Sequence, residues 1–550
     1  MLKRLLVKIM VCSGIFFHLA FSHLIADEFP LHPPTNFILN PRYIALHHPV
    51  ATSQILGQLY FDQGLTFIYA FNHDAAYWSF LRASEADPHM AMAYWGMALA
   101  LGSNINMEMT PERSKIAYEL VQKAIQKSDN GPQNEKDYIQ ALAQRYSEDP
   151  SIDKKQLAIR YSQAMQKLSH HYPDDPDAAT LYAESLLDVN PWNQWSLEGK
   201  PLQGTMEAVR ALQSVIREFP DHLGANHYLI HAVEASFHPE IALMSAERLK
   251  TLLPSSGHIL HMPSHIYLLV GDYIQAIHSN LAAVAADREY IKQYGMDGIY
   301  PLHYLSHNLY FLSRAYTMQG CFEDAKQAAD DLTTFYTKHF KKMQDLEYYA
   351  SAPLTVLITF HRWEDILKMP PPKEDMQITT MLWRFGRALA FANLGNRAQA
   401  MNEQRLFLEG KNQINPDQVF GYNRAHQILI IAENCLHAKL AEVQGNFDQA
   451  LNFLQKAVDV QDQLKYNEPP DWFFPVREAL GGLLLRMQKP QEAEKIFRQS
   501  LKRHPRSGRA LFGLRESLKA QSKIFDEYWV NEEFQKAWRY STISLNINDF

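Results

Sequence analysis

Glycine is scarce in this chain. There are 23 in 550 residues, about 4% against an average of roughly 7%. A β-rich protein of this length needs more glycine for its turns, so the shortage, beside abundant Ala, Leu, Gln and Glu, points to helices. Cysteine is nearly absent, at three residues, and none stand as CxxC. That excludes a thiolate zinc site and a thioredoxin-type dithiol. Positive charge is in deficit: 53 Lys and Arg against 60 Asp and Glu give a net charge of −7, so no basic field draws the chain to nucleic acid. The composition, 47% hydrophobic and 21% charged, fits neither a disordered chain nor a multi-span membrane protein. No Gly-rich phosphate loop, GxSxG elbow or kinase signature appears.

The N-terminus carries a recognisable pattern. Lys3, Arg4 and Lys8 precede an uncharged apolar run, Ile9 to Phe21, and small residues follow at Ala20, Ser22 and Ala26. This is the layout of a secretory signal over residues 1–26. It predicts an exported chain, periplasmic or secreted, with no integral membrane domain once the segment is removed. An uncleaved membrane anchor is the other reading, although the run is short of the roughly 20 residues a spanning helix needs. Val11 before Cys12 does not fit a lipoprotein signal. Cys321 and Cys435 then remain, and the sequence leaves open whether they pair.

The body of the chain repeats. An Ala, an apolar residue four on, a small or apolar residue three further and a Pro five further recur at Ala76, Phe80, Ala83, Pro88 and at Ala208, Leu212, Val215, Pro220. They recur again at Ala242, Ala246, Leu249, Pro254 and at Ala493, Phe497, Ser500, Pro505. The first three positions share one helix face, and the proline closes the unit. Gly64 and Gly481 each sit 12 residues before their Ala, where two helices must approach closely. Gly271, Gly320, Gly395 and Gly445 each sit five before an Ala, marking turns between paired helices. The pattern resembles the tetratricopeptide repeat (TPR), a helix–turn–helix of 34 residues. It predicts an all-α solenoid of helical hairpins, in two halves. The turn-rich stretch 188–204 and the triple proline in 369–375 are candidate breaks. The expected organisation is N-terminal TPR-like helices over 27–200, a histidine-rich central region over 201–340, an irregular linker over 341–375 and a C-terminal array over 376–550.

Histidine is the residue in surplus. Ten of the 24 lie between 222 and 307. On a helix, His227, His231 and Glu234 fall at about 0°, 40° and −20°, one narrow stripe, and His258, His261 and His265 at about 0°, −60° and −20°, a second. His303 and His307 are i,i+4 neighbours. Counted on the TPR ruler, these residues fall at positions 2, 5, 9 and 12 of the first helix of consecutive units, which in TPR proteins face the concave groove. His303 alone has no such place. Imidazoles with one carboxylate suit Zn, Cu, Fe or Ni. Eight candidate ligands exceed the needs of one ion, so either two ions bind or some residues orient others. Pro263, inside the second stripe, is expected to kink that helix or move its start. His227 is followed by Tyr228, so there is no HExxH and no zincin-type protease.

FNHDAA (71–76), AMAYWG (91–96), PWNQW (191–195), GANHYLIHAVE (224–234) and GHILHMPSHIY (257–267) together resemble a TPR-containing family found mostly in bacteria, over roughly residues 55–320. The resemblance implies that His227, His231, Glu234, His261 and His265 act as a unit, and it carries no reaction with it. Three readings follow. In the first, the groove holds a transition metal for binding or for chemistry on a small molecule or peptide, with Glu234 as ligand or general base. In the second, the histidines are structural and the array is a scaffold for a peptide or protein partner. In the third, they form a cationic pocket for an anion. Trp95 at position 5, Asn104 and Asn106 past a helix end, and Tyr228, Tyr267 and Ser264 beside the stripes are candidate groove or ligand contacts. Trp192 and Trp195 stand either in a core or as an aromatic lid.

Overall fold

The computed structural model describes residues 31–550 apart from 297 and 299. The signal segment expected over 1–26 lies outside them. Helices follow one another from Ile55 to Ala537, and the one ladder among the described residues pairs Val419–Phe420 with Asn423–Arg424. Successive helices pack as antiparallel hairpins, for example Ile55–Tyr69 with His73–Ala86 and Ala425–Val443 with Phe447–Gln461. The chain is thus an all-α, TPR-like solenoid. Among the described residues, no helix is long and apolar enough to cross a membrane.

The hairpins form where the repeat places them because the turn and cap chemistry is local. Gly271, Gly320, Gly395 and Gly445 take φ of 78°, 81°, 79° and 77°, the left-handed region in which a side chain is costly. Asn72, Asp272 and Asn396 then accept from the third backbone N–H of the following helices, satisfying donors the helix leaves open. Gly64 and Gly96 both face the ring of Phe80, where an added Cβ would stand 2.8 and 2.3 Å from ring atoms. Gly481 and Gly513 do the same for Phe497, at 2.6 and 2.2 Å. Each phenylalanine sits on the second helix of a hairpin and wedges between the first helices of its own unit and the next.

Two apolar cores result, one drawn from residues 37–328 and one from 284–550. The helix Leu305–Gln319 belongs to both: Phe311 and Ala315 pack into the first, Leu305 and Leu309 into the second. The division therefore falls earlier than the linker expected over 341–375. That segment also contains the helices Ala352–Thr359 and Trp363–Lys368. Pro353 stands in the first turn of its helix, where no backbone donor is lost. Only the stretch around the three prolines of 370–372 is irregular. Cys321 and Cys435 are free and buried.

The solenoid turns back on itself. Tyr273 donates to the Pro505 carbonyl at 3.0 Å, the Thr542 N–H donates to the Gly320 carbonyl at 3.1 Å, and Arg314 donates to the Phe473 carbonyl. These contacts carry the segment 465–475 onto the concave face of the central hairpins.

Filling the space at the Phe wedges is expected to destabilise the stack. Gly96→Ala and Gly513→Ala should each cost about 1–3 kcal/mol, the usual penalty for overpacking, read from chemical unfolding. Values within about 0.5 kcal/mol of the parent would show that the rings move aside freely.

Candidate metal centre

Three successive hairpins deliver the histidines. Leu223–Val233 carries His227 and His231 and ends at Glu234. Gly257–His261 and Pro263–Val270 carry His258, His261 and His265. The turn Tyr300–Tyr304 and the helix Leu305–Gln319 carry His303 and His307. Pro263 does interrupt the second element, but Met262 keeps helical angles (φ −51°, ψ −37°). The two pieces stay nearly collinear, and His261 and His265 remain neighbours.

The rings converge as two triads, His227–His231–His258 and His261–His265–His307, with the ligand atoms of each within 4.8 Å of one another. In the first, His227 Nε2 stands 3.1 Å from His231 Nε2 and 3.1 Å from His258 Nε2. In the second, His261 Nε2 stands 2.8 Å from His265 Nε2. The triads adjoin: the ring centroids of His231 and His265 are 6.0 Å apart, and those of His258 and His261 are 6.2 Å apart. His303 lines the same cavity but stands outside both triads.

The proton positions follow from the partners. His227 Nδ1 donates to the Tyr69 carbonyl at 2.7 Å. His231 Nδ1 and His265 Nδ1 donate to the two oxygens of Glu234 at 2.7 and 2.5 Å. His261 Nδ1 donates to Asn280 Oδ1 at 2.7 Å, while the Asn280 amide nitrogen donates to the Ala276 carbonyl, fixing its orientation. A carbonyl or carboxylate offers no proton, so each of these Nδ1 atoms carries the hydrogen, and in the neutral ring Nε2 presents the lone pair. His227 faces His231, and His261 faces His265, lone pair to lone pair. Such contacts repel unless a cation stands between them. Burial and then the neighbouring imidazoles hold His227, His258 and His261 well below the usual histidine range and His307 down at about 3, so these four rings stand neutral. A metal fits the spacing. Zn–N bonds of about 2.0–2.1 Å at tetrahedral angles put ligand nitrogens about 3.3 Å apart.

The histidines are not on an open groove, as the repeat ruler implies. His227, His231, His258, His261 and His265 are each at most 2% exposed. Phe71, Trp192, Tyr304, Tyr422 and Glu468 help to line a cavity, part of it open to solvent, onto which His231, His258, His265 and His307 face. Phe71 stacks on His231 and His258, with centroids at 5.5 and 5.4 Å. It does so from φ 55°, a conformation that is strained for a bulky residue. Phe311 packs on His261 and His265 at 4.6 Å each. Trp192 stands edge-on to His231 at 5.8 Å, so of the two readings of PWNQW the structure has the aromatic wall for Trp192. Trp195 instead donates to the Ala232 carbonyl.

Other expected residues fall differently. Trp95 lies in the first core between Phe61 and Tyr138. Tyr228 packs behind the triad on Tyr69 and Phe71. Tyr267 donates to Glu247 on the outer helix. None of the three lines the cavity: Tyr228 and Tyr267 are turned off the His stripes of their helices, and Trp95 is on a helix that carries no histidine. Asn104 and Asn106 do line it. The Asn104 amide nitrogen is 3.1 Å from His73 Nε2, and that of Asn106 donates to Tyr304 at 3.4 Å. Ser264 contacts His261 Nδ1 at 3.3 Å. Glu234 is 1% exposed with both oxygens taken by imidazole N–H groups, so it orients the His231 and His265 rings and does not present a general base to the cavity. Burial raises its pKa, but the charges and hydrogen bonds of His265 and His231 overcome this and hold it well below the carboxylate range.

Two carboxyls do line the cavity, Asp74 and Glu468; Glu468 comes from the C-terminal half, and sequence spacing could not find it. Its Oε2 is buried with no hydrogen-bond partner. Burial and then the charge of Glu234 push its pKa up to about 8. A third polar cluster lies apart from the cavity. Asp177 accepts from His48 at 2.7 Å, His222 at 3.1 Å and the Tyr69 hydroxyl at 2.5 Å, so its partners already saturate it.

No family model and no curated protein matches the chain. Among solved structures, it overlaps an IFIT1 monomeric mutant with m7Gppp-AAAA (10% identity, 94% of this chain and 98% of that chain, TM-score 0.31). It also overlaps yeast Tom70 (11%, 87% and 92%, 0.28) and the APC/C Cut9–Hcn1 hetero-tetramer (12%, 84% and 76%, 0.29). Overlaps this loose carry no argument, and the solenoid rests on the helix order above.

The raised Glu468 gives a pH signature. Between its ordinary value of 4.5 and about 8, the folded chain holds a proton that the unfolded chain sheds. Its contribution is therefore full at low pH and lost as pH rises through about 8. In metal-free protein, Glu468→Gln should raise the melting temperature relative to the parent more at about pH 8.5 than at about pH 5. An equal effect at both would mean that the carboxyl ionises normally.

Proposed function

We propose that this protein is a metalloprotein whose solenoid holds two transition-metal ions, one in each histidine triad, for chemistry on a small molecule admitted to the cavity. The observation that carries this reading is the convergence of imidazole Nε2 atoms on one another, with the Nδ1–H groups of His227, His231, His261 and His265 already committed. Lowered basicity supports it too, since neutral imidazole is the form a metal takes. His227, His231 and His258 would hold one ion and His261, His265 and His307 the other, with Glu234 and Asn280 raising ligand basicity through the far ring nitrogens. A bound ion there supplies a Lewis acid or a redox centre. The enclosing residues favour a small substrate over an extended peptide, which needs an open groove. The basic and apolar N-terminal pattern supports an exported location.

Elemental analysis of protein expressed in metal-replete medium tests the reading. The parent should carry two ions per chain. His231→Ala and His265→Ala should each lose one, and the double variant both. Glu234→Gln should weaken both sites about 10–100-fold, the usual cost of losing a ligand-orienting group. Metal-free parent protein would overturn the proposal, and full occupancy in the double variant would mean that other residues bind.

A further inference from the structure

Resting on the two-metal reading, we infer that the centre is a dicopper site and that its small-molecule substrate is dioxygen. Four observations lead there. First, the ligand set is all imidazole: six rings, three to each ion, with no thiolate or carboxylate in either triad. The carboxylate closest at hand, Glu234, has both oxygens bonded to ring N–H groups and is turned away from the ligand nitrogens. Oxygen-preferring ions such as Mn are disfavoured by such a set, and copper stands at the top of the affinity order for imidazole sites.

Second, the charge balance selects a monovalent resting ion. Asp74 and Glu468 are the acidic side chains lining the cavity, and Glu234 stands behind it. Two divalent ions bring more positive charge than these three carboxyls supply, in a site where uncompensated charge is costly. Two Cu(I) ions bring two positive charges, within what the three carboxyls supply. Third, three imidazole nitrogens within 4.8 Å of one another in each triad would leave a low-coordinate ion with an open side, and four of the six rings face the cavity. Fourth, the triads adjoin through His231–His265 and His258–His261 and share Glu234, so two one-electron donors address one diatomic molecule. Phe71 and Phe311 cover the rings on the other sides and keep bulk water from them.

The electron count closes without a further reactant. Each Cu(I) gives one electron to O2. The molecule is reduced to the peroxide level and bridges two Cu(II) ions. No proton is taken up, and the reverse transfer returns O2.

Anaerobic loading of the full chain with Cu(I), followed by O2 titration, tests this. Two coppers per chain should bind, one O2 should be consumed per pair, and the oxidised protein should show no Cu(II) paramagnetic resonance, because the bridge couples the two spins. His307→Ala, checked for folding by circular dichroism, should keep one copper, take up no O2 in stoichiometric amount and show a normal Cu(II) signal on oxidation. A full-intensity Cu(II) signal from the oxidised parent would overturn the inference, as would the absence of O2 uptake. Binding of two Zn(II) or Co(II) ions but no copper would overturn it while leaving the two-metal reading intact. Failure of every metal would remove both.

Discussion

Glu234 bonds two imidazoles at once, one on its own helix and one on the next. Its oxygens fix the tautomer of His231 and of His265, and so decide which ring nitrogens point at one another. Everything else in the centre follows from that choice. With those Nδ1–H groups committed, the Nε2 atoms turn toward the neighbouring rings, and the hairpin stack holds His227 Nε2 within 3.1 Å of His231 and His258 Nε2 and His261 Nε2 within 2.8 Å of His265 Nε2. The cost of burying a carboxylate is offset because the same two donors satisfy it.

What was legible in the sequence was what is local. Helical periodicity and the TPR ruler put His227, His231, His258, His261 and His265 on adjoining faces, and the four turn glycines mark hairpins that the structure contains. The Gly64–Phe80 and Gly481–Phe497 approaches were half visible; their continuations at Gly96 and Gly513 show only once hairpins stack. Long-range closure was not legible. Glu468 and Tyr422 reach the cavity from about two hundred residues away, and no spacing rule links them to His231. Nor does periodicity tell a concave face open to water from one covered by a returning segment, which is why a groove was expected where a chamber stands. Tyr228 and Tyr267 stand out by adjacency in sequence, and adjacency on a helix means a turn of 100° away; Trp95 stands out by its repeat position, but its unit packs that position into the core.

The two cores and the shared helix Leu305–Gln319 give the centre its mechanical setting. Phe311 anchors that helix in the first core beneath His261 and His265, while Leu305 and Leu309 anchor it in the second. His307 is therefore held by both halves, and the second triad reports on how they are docked.

Closure of the solenoid has a kinetic consequence. An open superhelix is a spring, and ions on its inner face exchange as fast as solvent reaches them. Here the contacts of Tyr273 with Pro505 and of Gly320 with Thr542 latch the spring into a ring around the triads. Traffic through the covered side is then metered by unlatching, so an ion held by the triads would enter most readily while the C-terminal hairpins are still unseated and would afterwards be retained through dilution that an open coil would not survive.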